Sequence, residues 1–330
     1  MTGRLPAALL MLIAVVVLSQ VPATGQAPGS TSKTRASSWT QPLTPWGHPD
    51  LQGIWNNVTA TPLERSKELS EKAQLSNEEA ADFEQRSAKR RAEAEARPHT
   101  GYAASIWFET SYSLSGNRTS LLVDPADGRL PALTEKAKKE ADQIAAARKT
   151  NPADSWEDRG PYERCITRAL PGAMMPGFYN HNYQILQTPG YVAIVVEMIH
   201  DARIVPLDGR PYVGAGIKQW LGDSRGRWEG NTLVIETKGL RGVNLRNVGV
   251  FGTSEQGRVI ERFTRLGPDV MDYRITVDDP ATFTRSWTAS LPMSKVEGPL
   301  YEYACHEGNY GLPNILAGHR QEEREAAQKR

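Results

Sequence analysis

From Tyr179 to Met293 apolar and polar residues alternate in short runs, and each run is closed by turn residues. A period of two puts successive side chains on opposite faces, so these runs predict strands with one buried face. Runs 183–187 and 191–207 flank Thr188-Pro189-Gly190, where proline presets the second turn position and glycine supplies positive φ. Runs 227–229 and 232–237 flank Gly230-Asn231, a two-residue connection that matches strand twist. Runs 259–266 and 270–277 flank Gly267-Pro268-Asp269, and a strand over 282–291 follows Asp278-Asp279-Pro280. Connections this short join only antiparallel neighbours. The expected fold is mainly β: an antiparallel barrel or sandwich with a side-chain-lined interior.

Upstream the period changes. Pro49-Asp50-Leu51-Gln52-Gly53-Ile54-Trp55 reads as a strand entry, its glycine allowing close backbone approach and its tryptophan plugging a core. Over 61–97 the pattern is helical, and Ser76 with Glu79 forms a capping box ahead of a long charged run. A second helix is predicted from Thr134 until Asn151-Pro152 stops it, and 118–123 between the two is a short strand ending in a turn over 124–128. Both helices therefore pack outside the sheet, as an insertion around 61–150 in a single domain spanning 45–320. A charged tail over 321–330 follows. Lys89-Arg90-Arg91 lies on a solvated helix face where acids and bases balance. Asn57-Val58-Thr59 and Asn117-Arg118-Thr119 are glycosylation sequons.

Residues 1–27 read as a cleavable signal peptide. Arg4 is followed by an apolar run over 7–18, and small residues at Val21-Pro22-Ala23 and Gly25-Gln26-Ala27 offer cleavage sites. The alternative, an uncleaved anchor, needs ~20 apolar residues, more than this run supplies. Residues 28–44 form a flexible Ser/Thr/Pro/Gly-rich leader. The expected location is periplasmic or secreted, without an integral membrane span after cleavage. A net charge of +1 with interspersed signs shows no nucleic-acid footprint. The two cysteines, Cys165 and Cys305, are expected to pair in an oxidising compartment; the alternative is two buried or reactive thiols.

The segment 49–55 together with Trp228-Glu229-Gly230-Asn231-Thr232-Leu233, Glu261-Arg262-Phe263, Asp278-Asp279-Pro280 and the run from Tyr301 to Tyr310 (YEYACHEGNY) resembles an uncharacterised family of exported bacterial proteins. The resemblance covers most of the mature chain and implies export and one architecture. A looser resemblance to calycin barrels such as lipocalins rests on the hairpin succession and Gly53-Ile54-Trp55.

Candidate chemistry is sparse. There is no glycine-rich dinucleotide turn, nucleophile elbow or HExxH spacing, so no cofactor is expected. His181, His200 and His306 lack the local spacing of a metal site, and no metal is expected either. Alternation places Met271, Tyr273, Ile275 and Val277 in one apolar row, with Phe283, Arg285, Trp287, Ala289 and Leu291 in the next. An arginine in such a row must be paired, and Glu261 lies in the preceding one between Val259 and Phe263. Glu261 and Arg285 are therefore expected to meet inside, beside Tyr273 and Trp287.

In the run 191–207, Glu197 is a carboxylate in an apolar strand, where desolvation raises its pKa unless Arg203 keeps it ionised. His200 faces the other side unless a bulge near Ile199 turns it. Three functions follow. The first is a barrel that binds a small apolar or aromatic molecule, lined by Trp228, Trp287, Met198, His181, Glu261 and Arg285. The second is a cofactor-independent isomerase, lyase or hydrolase with Glu197 or His200 as base, Tyr273 as donor and Arg203 or Arg285 as anion anchor. The third is an envelope structural module. Binding leads, because barrels of this size enclose ligands and nothing singles out a nucleophile.

Overall fold

The computed structural model describes residues 39–96, 113–177, 179–242 and 252–329. The signal peptide expected over 1–27 and the leader up to 38 lie outside the described residues. The leader's expected end is ordered: Leu43 bridges Pro49 across a turn in which the Thr44 hydroxyl accepts from the His48 backbone.

Among the described residues eleven strands make one antiparallel sheet: β1 (Gly53–Asn56), β2 (Leu122–Asp124), β3 (Asn182–Gln187), β4 (Tyr191–Val196), β5 (Ala202–Pro206), β6 (Asp223–Glu229), β7 (Thr232–Lys238), β8 (Arg258–Arg265), β9 (Val270–Asp278), β10 (Trp287–Ser290) and β11 (Met293–Val296). Their order is β5-β4-β3-β1-β11-β9-β8-β7-β6, with β10 joining β9 to β2. The Thr188-Pro189-Gly190, Gly230-Asn231 and Gly267-Pro268-Asp269 turns each join antiparallel neighbours, because their lengths permit nothing else. One edge of β9 is shared, with β10 along its C-terminal half and β11 at its start. Leu291 N–H continues that ladder to the Tyr273 carbonyl at 2.7 Å, and Pro292, lacking a donor, marks the bend between the two strands.

The sheet is not closed. Its end strands β5 and β6 carry no ladder between them, yet they lie side by side: a Cβ added at Gly226 of β6 would stand 2.9 Å from Val205 Cγ1 and 2.6 Å from Leu207 Cδ2. Only glycine permits that approach. The curled inner face is filled by large side chains, with Trp55, Trp287, Tyr183, Tyr273 and Phe263 all less than 2% exposed. Phe263 and Tyr273, cross-strand partners on β8 and β9, stack with centroids 4.5 Å apart.

Among the described residues three α-helices flank the sheet: α1 (Asn77–Glu95), α2 (Glu135–Thr150) and α3 (Gly311–Gln328). The helix expected over 61–97 begins only at Asn77, residues 61–76 being non-helical except for one short 3-10 segment over 67–69, but the caps of the first two helices are those the sequence dictates. Ser76 and Glu79 exchange a capping box, and the Thr134 hydroxyl accepts from Ala137 N–H. The charged segment expected to form a tail from 321 is instead helical through Gln328, as the second half of α3.

Two further sequence expectations are corrected, and one sequon is out of reach. The run 191–207 is two strands rather than one, with a tight turn at 197–201 between β4 and β5 where a bulge was considered. Arg285 is outside: β10 begins only at Trp287, because 282–284 is drawn away to pair with the segment leading into α2, where Leu133 bridges Phe283. Its guanidinium meets Asp124 at 2.6 Å on the exposed surface and is remote from Glu261 in the pairing scheme. Asn57 of the first sequon is buried and donates to the Met174 carbonyl, so the folded chain shields it.

Candidate functional site

The turn between β4 and β5 is the most strained part of the sheet. Val196 N–H closes it on the Asp201 carbonyl, and within it Ile199 and His200 adopt φ of +63° and +46°. A β-branched residue in the left-handed region costs about 1–3 kcal/mol and persists only where surroundings enforce it. Here they do: Met198 and Ile199 are buried, and His200 Nδ1–H donates to the Tyr303 carbonyl at 3.0 Å. Of the six non-glycine residues with positive φ among those described, five gather around this turn: Cys165, Ala169, Asn180, Ile199 and His200. Strain concentrated in this way marks sites where geometry is held for a purpose.

Two further segments complete the neighbourhood, and the Cys165–Cys305 disulfide ties them together with Cα atoms 5.6 Å apart. Tyr162 donates to Met198 Sδ, while the Tyr179 and Tyr303 hydroxyls lie 3.3 Å apart. Burial pushes the Tyr162 phenol up to about 12 and raises that of Tyr303 as well, so both stay protonated donors. His181 is buried, accepts from Arg168 at 3.2 Å, and is driven down to about 3 by burial and then by that cation. Its imidazole is neutral at ordinary pH. Glu197 is buried beneath the turn and accepts from Asn182 Nδ2 at 2.8 Å.

Gly177 presses on the His181 ring so closely that an added Cβ would stand 1.9 Å from Nε2. Gly177→Ala should therefore lower stability by about 1–3 kcal/mol, the cost of overpacking, and thermal denaturation would show it. An unchanged melting temperature would mean that the ring can swing aside freely.

Arg203, the next inward-facing residue, does not pair with Glu197. It forms a two-pronged ion pair with Glu261, one arm at 2.9 Å. Tyr273 donates to the same carboxylate at 2.9 Å, and the second arm reaches Thr237 at 3.3 Å and Ser224 at 3.5 Å. All three charged or phenolic groups are fully enclosed, and the ion pair raises the Arg203 pKa against the opposing cost of burial. Arg203 Nε has no hydrogen-bond acceptor among the described residues.

Directly above this network lies a cleft of about 580 Å³, floored and walled by residues 201–204 on one side and 218–224 on the other, with Arg241 at its rim. It occupies the stretch where β5 and β6 are unladdered. Asp201 lines it, and burial raises its carboxyl to about 6 despite a hydrogen bond from Thr167 at 3.0 Å. Trp220 supplies an aromatic wall: Ala169 packs beneath it, and Arg241 covers its ring at 4.7 Å.

The structure thus brings Glu197, Met198, His200 and His181 to one turn, with Arg203, Glu261 and Tyr273 in the core below. It does not bring the others there. Trp287 is core, edge-on to Phe283, Trp228 lies against His48 with centroids 5.4 Å apart, and Arg285 is on the outer surface. Asp201, Thr167, Arg168, Tyr162 and Trp220 were not legible as site residues. The only signal is a carboxylate between His200 and Arg203, which alternation along a single strand over 191–207 does not single out. Comparison with protein-family models, curated proteins and solved structures gave no match, so geometry alone carries the functional argument.

Proposed function

We propose that this is an exported small-molecule-binding protein whose ligand seats in the cleft between the β4–β5 turn and residues 218–224. The ligand has an aromatic or apolar body that takes the place of the Arg241 guanidinium on the Trp220 ring, and a hydroxyl or amine that donates to Asp201. The observation that carries this reading is Asp201: a half-buried carboxylate on a strained turn, lining a cleft of ligand size. Export is supported by the signal-like N-terminus and by the disulfide. No helix among the described residues is long and apolar enough to cross a membrane. The filled inner face favours a ligand seated at the mouth over one within a lipocalin-type interior.

Asp201 also supplies the test. Its raised pKa means that the folded state holds the proton more tightly than the unfolded one, so its contribution favours folding at low pH and is lost as pH rises through about 6. His181 acts oppositely, being neutral in the fold. Comparing wild type with Asp201→Asn cancels the histidine. The variant should be the more stable of the two at pH 7, with the difference shrinking toward pH 4.5. In calorimetric titrations with small phenols and indoles, Asp201→Asn and Trp220→Ala should both weaken binding. Equal affinities in all three proteins would sink the reading.

A second reading, a cofactor-independent enzyme, is favoured by the same carboxyl, since a group titrating near 6 suits general acid–base catalysis. Asp201→Asn would then keep affinity and lose turnover by about 10²–10⁴.

A further inference from the structure

Helix α3 is attached to the rest of the chain without burying any residue. One of its contact points is His319, whose side chain is 14% exposed. His319 Nε2 lies 3.1 Å from Asp154 Oδ1 and 3.6 Å from Glu323 Oε1, and the three ligand atoms all fall within 4.8 Å of one another. Ligands held about 2.0–2.2 Å from one tetrahedral zinc ion stand roughly 3.3–3.6 Å apart, so this spacing is already close to that of a coordination shell. His319 and Glu323 are one helical turn apart, which puts both on the same face.

A second feature points the same way. On the far side of the ring, His319 Nδ1 finds no hydrogen-bond partner within ordinary distance, but the Glu322 carboxylate is 3.6 Å away. A small rotation of the Glu322 side chain would bring its carboxylate onto Nδ1, where such an outer partner fixes the tautomer that turns the Nε2 lone pair toward a metal and strengthens binding. Arg320 is the competitor. Its guanidinium stands 3.2 Å from Glu323, 3.5 Å from Asp154 and 3.2 Å from the Ala153 carbonyl, balancing the two carboxylates in the metal-free chain.

We propose that Asp154, His319 and Glu323 form a divalent transition-metal site that clamps α3 to the 153–154 segment, with Arg320 as the counter-charge that a metal displaces. One nitrogen and two carboxylate oxygens suit zinc or manganese, with water completing the shell. The site is separate from the Asp201 cleft and stands or falls independently of it.

The experiment uses tag-free, chelator-washed full chain, titrated calorimetrically with zinc chloride and in parallel with cobalt(II), whose visible absorption reports coordination geometry. One equivalent of zinc should bind and raise the melting temperature, and His319→Ala should abolish both effects. Glu322→Gln should weaken binding by about tenfold, the scale of an outer partner. Arg320→Ala is the discriminating variant, since it should tighten zinc binding. Zinc affinity unchanged by His319→Ala would place the metal elsewhere and overturn the proposal. So would an Arg320→Ala variant that loses stability without gaining affinity, which would reduce the cluster to an ion-pair clamp.

Discussion

Replacing either Arg203 or Glu261 by Met should cost about 3–5 kcal/mol, whereas replacing both by Met should cost far less. The asymmetry follows from burial. Each single change strands a desolvated partner: without Arg203, the Glu261 carboxylate keeps only the Tyr273 hydroxyl as a donor. Without the Glu261 charge, the guanidinium is left with Ser224 and Thr237. The double change removes both desolvation costs along with the attraction. Urea denaturation of the two single variants and the double variant measures the coupling directly. Additive costs would show that the two groups do not act as a pair.

The disulfide should carry a comparable effect. Cys165 and Cys305 are separated by 140 residues, and closing a loop of that length stabilises a fold by about 5 kcal/mol in the chain-entropy model. Changing both cysteines to serine should lower the denaturation midpoint accordingly. The loss should fall on the Asp201 region as well, since the bond anchors the segment carrying Tyr303, whose carbonyl holds His200 in its left-handed conformation. Hydrogen exchange around 197–201 should therefore accelerate in the serine variant. Protection there that is unaffected would uncouple the bond from the turn.

The contrast between Glu261 and Arg285 shows where reading a sequence reaches its limit. Glu261 was legible as an inward charge, because β8 runs unbroken and strand alternation holds along it. Arg285 was assigned by the same rule, but 282–284 is taken up by the linker entering α2. The strand therefore starts at Trp287, two residues beyond Arg285. The true partner, Arg203, sits on β5, at the opposite end of the sheet from β6 and β7 in strand order. Nothing local relates β5 to β8; only the curling of the sheet does.

What the sequence determined by itself is everything settled within a few residues. The hairpin turns, the capping box of α1, the N-cap of α2, and the inward rows of β8 and β9 follow from turn chemistry, side-chain caps and the period of two, and each is present. The tertiary structure decided which inward charges meet, that both covalently tied loops border the 197–201 turn, and where a cleft remains. Those outcomes depend on contacts between segments far apart in the chain. Asp201 shows the reason at the scale of one residue. Its carboxyl is lifted to about 6 by a burial that Thr167, the β4–β5 turn and residues 218–224 create jointly, and no window of sequence around position 201 contains them all.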